Sequence, residues 1–361
     1  MMSIFFSGCM LAGKLPNTLM HAVIIPLLKC KSKDPSDVNN YRPSAIATAL
    51  SKVLEQVLLS RLARYLWTAD SQFGFKQAHG TEIAIFALRQ TVDFYCKQDT
   101  NVYMCFLDAK MAFDGVNKWT LAKKLLDRYV SLHIAKLFIF WYREQEFMVR
   151  WGNSLAMTFR CSNGIRQGEQ LSPLLYNEYT DDLNNHLQAT GVWCYVGGAW
   201  VNSLSYADDM VLLAPTVTAL QTLLEVCCAY AGPHDIVYKQ RKQYVCWSGQ
   251  SNYSVGSQQE SASEMRNETK EFRYLGHIMT ADCRDDKDIK KIRIENAIGN
   301  MMVKKFSFAP IEAKIKLFKS YCYPIYGCAL WHHSFQNSTI RKLTVTHYNI
   351  CVLWIEIHIT V

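Results

Sequence analysis

Three aspartates carry the chemistry this sequence most clearly offers. Asp108 follows the apolar run Val102–Leu107 in VYMCFLDAKMAFD. Asp208 and Asp209 stand side by side in SLSYADDMVLLAP, between a stretch fit for a strand and the apolar run Met210–Leu213. Adjacent carboxylates repel, and burying them without a partner costs several kcal/mol. All three fall at strand ends rather than in mid-helix. If the two strands are neighbours in one sheet, the carboxylates converge on one point. Such a cluster suits hard divalent cations, which take oxygen ligands and, for octahedral Mg²⁺, keep positions for phosphates and water. Two such ions roughly 3.5–4 Å apart clamp the attacking and leaving oxygens of an in-line phosphoryl transfer. The simpler alternative is a polar hairpin turn, because Asp favours turns. The aspartates alone leave both readings open.

The elements that must position them can be traced in order. A strand is expected within residues 18–29, TLMHAVIIPLLK, followed by the polar loop CKSKDPSDVNN. The spacing of Leu50, Val53, Leu54, Val57, Leu58 and Leu62 predicts a helix, and a second is predicted over Thr81–Tyr95. After the strand ending at Asp108, KWTLAKKLLDRYV and HIAKLFIFWYREQ read as helices. The alternation in FMVRWGNSLAMTFRCSNGIRQGEQLSP suits a hairpin ending in a Gly-containing turn. PLLYNEYTDDLNNHLQATG reads as a helix closed by Gly191, and another is expected over Val217–Ala231. Residues 249–270 are polar and Ser-rich, a linker by composition. EFRYLGHIMT reads as a strand, and a basic, mostly helical segment follows from Asp285. Strands and helices thus interleave along the chain.

Composition bounds the function. Of 361 residues, 50% are hydrophobic and 19% charged, a globular balance. A formal net charge of +8 favours an anionic partner. The thirteen cysteines include no C-x-x-C pair and no zinc-ligand spacing, and several lie in apolar runs, as free thiols in a reducing compartment would. The N-terminal run MMSIFFSGCMLAG lacks a basic leader, and no stretch reaches the roughly 18 apolar residues of a membrane span. The expected location is therefore intracellular, in cytoplasm or nucleus, with no membrane partner.

Six blocks, in order, extend the reading. NNYRPSAIATALSKVLEQVLLSRL, QFGFKQAHGTE, FLDAKMAFD, NGIRQGEQLSPLLYN, YADD and EFRYLGHIMT together resemble the reverse transcriptases of non-LTR (LINE-type) retrotransposons. The resemblance runs from about Leu15 to Trp331 and implies an α/β fold class and a right-hand polymerase fold: fingers, an α+β palm and a helical thumb. It implies a polymerase using an RNA template, a DNA primer and dNTPs, with two Mg²⁺ ions (Mn²⁺ as substitute) and no small-molecule organic cofactor. Asp108 and Asp208 would be the principal metal ligands, with Asp209 the adjacent carboxylate. Phe113 matches the aromatic position beneath the incoming sugar, although on its own it reads equally as a core Phe. Gln167 and Gly168 match the turn that approaches the nucleotide. Lys29 and Arg42 match the cations of the fingers hairpin, and Lys242 the lysine proposed to protonate the pyrophosphate.

The implied division is an N-terminal remnant at 1–17, fingers and palm at 18–282, a helical thumb-like segment at 283–335 and an unassigned tail at 336–361. Three residues depart from the family pattern, the first being Gly115, which follows Asp114 where a larger, often basic residue is common. Glu169 stands where Gly or Asp is usual, and is expected to add bulk and negative charge near the triphosphate. Glu178 stands at a usually apolar position and would cost packing energy if buried. With no block for an endonuclease or a zinc knuckle, the resemblance implies a truncated copy. The alternative to an active polymerase is a catalytically inactive relic that at most binds nucleic acid.

Overall fold

The computed structural model describes residues 1–30, 33–238, 243–247, 271–280, 285–290 and scattered positions between 305 and 345. Lys242, the Ser-rich stretch 249–270, and most of the basic segment and of the tail lie outside these residues. The chain forms two units, one of residues 1–80 with 105–242, the other of residues 81–104 with 243–361.

The first unit opens with α1 (Met2–Ala12), closed by Gly13 in the left-handed region, φ 62°. Residues 1–17, read from sequence as a remnant, thus hold a helix whose Phe6, Cys9 and Met10 are buried in the core. The β-branched run Val23–Ile25 lies in β1 (His21–Leu28), which pairs antiparallel with β2 (Tyr41–Ala47). Pro26 stands opposite Pro43, so both missing N–H donors fall on one rung of that ladder. Thr48 then caps α2 (Ala49–Leu62), its hydroxyl accepting from the Ser51 N–H.

α3 (Thr81–Lys97), which belongs to the second unit, is the helix expected at 81–95, two residues longer, and from Cys105 the chain is again in the first unit. The next strand, β3 (Val102–Lys110), carries Asp108. Asn117 caps α4 (Lys118–Asp127) through the N–H groups of Trp119 and Thr120, and α5 (Leu132–Glu144) follows. β4 (Glu146–Trp151), β5 (Ser154–Leu155) and β6 (Phe159–Arg160) make the expected hairpin, and β4 runs parallel to β1, so the first sheet is ordered β2-β1-β4-β5.

The longest element of the first unit, α6 (Leu171–Ala189), buries Leu171, Leu175, Tyr176, Tyr179, Leu183 and Leu187. They recur at helical spacing, and Leu171, Leu175, Tyr176 and Tyr179 join a core built with α1, α2, α4 and α5. A small hairpin, β7 (Cys194–Val196) and β8 (Ala199–Val201), precedes the hairpin β9 (Ser203–Tyr206) and β10 (Asp209–Ala214). Five consecutive residues of β10, Met210–Ala214, are buried, as in a strand covered on both faces. α7 (Val217–Ala231), capped by Thr216, packs on β10, and β11 (Val237–Tyr238) pairs antiparallel with β3. The second sheet therefore runs β11-β3-β10-β9.

The second unit continues with β12 (Gln243–Trp247) and the hairpin of β13 (Glu271–Tyr274) with β14 (His277–Thr280), which is the EFRYLGHIMT block. A buried charge cluster fixes it to α3 and to residues 285–290. Arg89 grips both oxygens of Asp285, at 2.7 and 3.0 Å. His277 Nδ1 lies 2.9 Å from Asp288, whose other oxygen accepts from the Ile278 N–H.

Candidate active site

Asp108 lies near the end of β3, and Asp209 is the first residue of the neighbouring strand β10. Both, with Asp208, are half-buried. The turn between β9 and β10 is Ala207–Asp208, and Ala207 holds φ 55°, a left-handed conformation uncommon for a residue with a Cβ. The two strands that carry these aspartates are neighbours in one sheet, the condition set by the sequence reading for their convergence. Among the described residues, no three His, Cys, Asp or Glu side chains form a set that could hold a metal by itself.

After β3 the chain turns tightly through Met111, φ 51°, whose carbonyl accepts from the N–H groups of both Asp114 and Gly115. This turn sets Phe113 against the core, its ring 5.2 Å from that of Tyr176 on α6. Burial raises the Tyr176 pKa well above its usual value, and the nearby charges of Asp208 and Asp209 push it the same way. Phe113, Tyr176 and the aspartate turn are therefore one neighbourhood.

The loop carrying Gln167 and Gly168 is fastened on two sides. Gly164 N–H donates to the Val116 carbonyl at 2.8 Å, and Ile165 N–H to the Phe113 carbonyl at 2.9 Å. Gly164 has φ 95°, and a Cβ there would meet Asp114 Cα and O at 3.0 Å, so only glycine permits this approach. On the other side the Gln167 carbonyl accepts from Ala45 N–H at 2.9 Å, and Gly168, φ 97°, sits against Ser44 and Ala45. A cavity of about 60 Å³ opens beneath this stitching, lined by Pro43, Ala45, Asp114, Lys118, Gln145 and Gln167.

Lys29 and Arg42 are exposed at the far part of the β1–β2 hairpin. Lys29 Nζ donates to the Asn39 carbonyl at 2.8 Å. Partial burial raises the Asp114 pKa, and the Lys29 charge opposes that rise. Sequence reading missed Asp114 and Lys118. The latter is buried, donating to the carbonyls of Tyr142 and Cys161 at 2.7 and 2.6 Å, and burial lowers its pKa. No local pattern announces a lysine that ties the start of one helix to the end of another.

The two glutamates that depart from the family pattern find partners. Glu169 does not project as a free charge. It is buried and ion-paired with Arg166, whose guanidinium lies 4.6 Å from the Trp141 ring. Burial nevertheless lifts its pKa to about 7, against the pull of Arg166. Glu178 is buried too, but Arg128 Nε donates to it at 2.8 Å while Nη2 reaches Asp181 at 2.7 Å and the guanidinium stacks 3.9 Å from the Trp67 ring. Burial again dominates, lifting Glu178 to about 7.

A sheet with carboxylates at the ends of adjacent strands, beside a glycine turn stitched to a two-stranded hairpin, defines a protein of the right-hand polymerase fold. A solved structure of apo telomerase from Candida tropicalis shares this fold: TM-score 0.50 at 12% identity, over 93% of this chain and 58% of that one. By sequence, the family described as "Reverse transcriptase (RNA-dependent DNA polymerase)" matches residues 30–279, and the chain belongs to the reverse transcriptase family. It is 28% identical over 223 residues to a retrovirus-related Pol polyprotein from the type-1 retrotransposable element R2 of Popillia japonica. That match covers 60% of this chain and 30% of that protein. It is likewise 28% identical over 225 residues to the RNA-directed DNA polymerase from mobile element jockey of Drosophila funebris, covering 60% and 24%. The chain therefore matches about a quarter to a third of the length of these relatives, and the resemblance to non-LTR retrotransposon reverse transcriptases is borne out. Among the described residues no helix is long and apolar enough to cross a membrane.

Proposed function

We propose that this chain is an RNA-directed DNA polymerase, extending a DNA primer with dNTPs on an RNA template. The observation that carries the reading is the placement of Asp108 and of the Ala207–Asp208 turn on neighbouring strands, β3 and β10, of one sheet. The residue types fit Mg²⁺, which takes hard carboxylate oxygens and keeps positions for substrate phosphates and water. Asp108 and Asp208 would hold two such ions, with Asp209 adjacent and Mn²⁺ as substitute. When bound, the ions supply electrostatic stabilisation of the attacking and leaving oxygens.

The chain's own residues do the positioning. Gln167 and Gly168 present backbone and an amide to the nucleotide from a loop fastened to both β2 and the Phe113 turn. Phe113, backed by Tyr176, offers a ring against the sugar and excludes a 2′-hydroxyl. Lys29 and Arg42 bind the triphosphate, Lys as a point charge and Arg as a fork. Lys242, the proposed acid for pyrophosphate, lies outside the described residues.

Primer extension on an RNA template with Mg²⁺ and dNTPs tests the reading. Incorporation is expected, and Asp208→Asn should lower it by on the order of 1000-fold or more, as loss of a principal electrostatic group does. Salt-sensitive RNA binding without incorporation would overturn it in favour of a non-catalytic relic.

A further inference from the structure

The QFGF block has no role in the reading above, yet it is bonded directly to the aspartate turn. Ser71–Gly74 runs along β9 as a short parallel bridge, Gln72 opposite Ser205. Ser205 N–H donates to the Ser71 carbonyl and Phe73 N–H to the Ser205 carbonyl, both at 2.8 Å. The bridge delivers the Gln72 side chain, 1% exposed, directly to the turn. Its Oε1 accepts from the Ala207 N–H at 3.0 Å and from the Gly74 N–H at 2.9 Å. Gly74 is close enough that a Cβ would meet the Ala207 nitrogen at 2.6 Å, and its carbonyl accepts from Asn177 Nδ2 of α6 at 2.6 Å.

The geometry points to Gln72 as the positioning residue of the aspartate turn: one amide oxygen holds Ala207 in its left-handed conformation and thereby aims the Asp208 carboxylate. Ala207 has a Cβ and gains nothing locally from φ 55°, so the conformation persists only where surroundings fix it. Its N–H is buried at that point and requires an acceptor. Gln72 Oε1 is that acceptor, and the same oxygen ties the turn to Gly74, which α6 anchors in turn. Freed of this bond, Ala207 relaxes toward negative φ and the carboxylate that follows it swings away. This role rests on the polymerase reading for its catalytic consequence, but the hydrogen bond itself does not.

Two measurements separate the two. In the native chain, amide hydrogen exchange should show Ala207 N–H protected to the level of the β9 amides. Rapid exchange there overturns the inference whatever the catalytic outcome. In Gln72→Met, which keeps the side chain's length and loses the acceptor, that protection should vanish while β9 and α6 stay protected. If Gln72→Met fails to fold, Gln72→Glu, which retains an acceptor oxygen, carries the test and should keep Ala207 protected.

Primer extension adds the functional arm. Gln72→Met should lower kcat by about 30-fold or more, the cost of misplacing a catalytic group by an ångström. Half-maximal Mg²⁺ should rise roughly tenfold, as when a supporting partner of a metal ligand is lost, while KM for dNTP stays within about twofold. Gln72→Glu should recover much of kcat. Loss of activity in Gln72→Met with unchanged Mg²⁺ dependence, or with equal loss of folding stability, would reduce Gln72 to a structural contact and overturn the proposal. An inactive native chain with a protected Ala207 amide would sink the polymerase reading and leave Gln72's hold on the turn standing.

Discussion

Replacing Glu169 by Gln should make the protein more stable at pH 8 and leave it nearly unchanged at pH 5. Two estimates compete. Removing one partner of a fully ionised buried pair costs about 3–5 kcal/mol, because it strands the other charge. Against this, Glu169 holds its proton to about pH 7 even with Arg166 beside it, its burial and the neighbouring Glu55 outweighing Arg166 and Lys52. The attraction therefore does not repay the desolvation of the carboxylate, and the neutral form is the one the fold prefers. An unfolded chain releases this proton near 4.5, the folded one near 7, so the folded state binds more protons between those values. Stability from this group is full below about 4.5, falls as pH rises through 7, and is lost above it. The shift corresponds to roughly 3 kcal/mol. Urea titrations of native protein and Glu169→Gln at pH 5, 6, 7 and 8 should diverge by that amount, the native chain declining the more steeply. Parallel curves, or a Gln variant that is the less stable at pH 8, would refute the reasoning. Glu169→Gly, the residue usual in the family, should be less stable than the Gln variant at every pH, since it empties a filled space beside Arg166.

Two further outcomes follow from the stitched loop and the ring beneath it. Gly164→Ala puts a Cβ 3.0 Å from the Asp114 backbone at φ 95°, so it should cost about 1–3 kcal/mol in urea titration and raise KM for dNTP by displacing Gln167. Phe113→Val should raise ribonucleotide incorporation, relative to dNTP, by roughly 10-fold or more in primer extension. An unchanged ratio would return Phe113 to the core packing that its contact with Tyr176 also serves.

The elements around the site were legible because each carries a local signal. The apolar run Met210–Leu213 after the aspartate turn lies buried in β10, and the spacing of Leu54, Leu58 and Leu62 puts one face of α2 on the core, with Leu50 and Val53 of the same series exposed. Pairings that join distant residues left no such trace. Arg128 pairs with Glu178 from 50 residues away, and Arg89 grips Asp285 across 196. Neither distance has a period. Glu169 is the instructive case, because its partner was in view: Arg166 stands three residues earlier in the same block, yet sequence pointed the carboxylate at the triphosphate. A turn's residues do not declare which side faces the ligand. That depends on the backbone through Gly168, whose φ of 97° is set by the approach to Ser44 and Ala45.

The blocks that carried the resemblance prove to be fasteners of one another as much as contacts for a substrate. The RQG loop is bonded to the Phe113 turn and to Ala45, Gln72 holds the aspartate turn, and Tyr176 and Asn177 of α6 back Phe113 and Gly74. Such mutual fastening explains which departures the fold can absorb. A changed side chain that brings or finds its own partner, as Glu169 and Glu178 do, leaves the backbone where it was. A changed glycine does not. At Gly74 and Gly164 the nearest atoms to a new Cβ are backbone, at 2.6 and 3.0 Å, and they belong to the two turns that position the site. Whether a copy of this sequence retains its chemistry is therefore decided less by the charges near Gln167 than by those two glycines and the oxygen of Gln72.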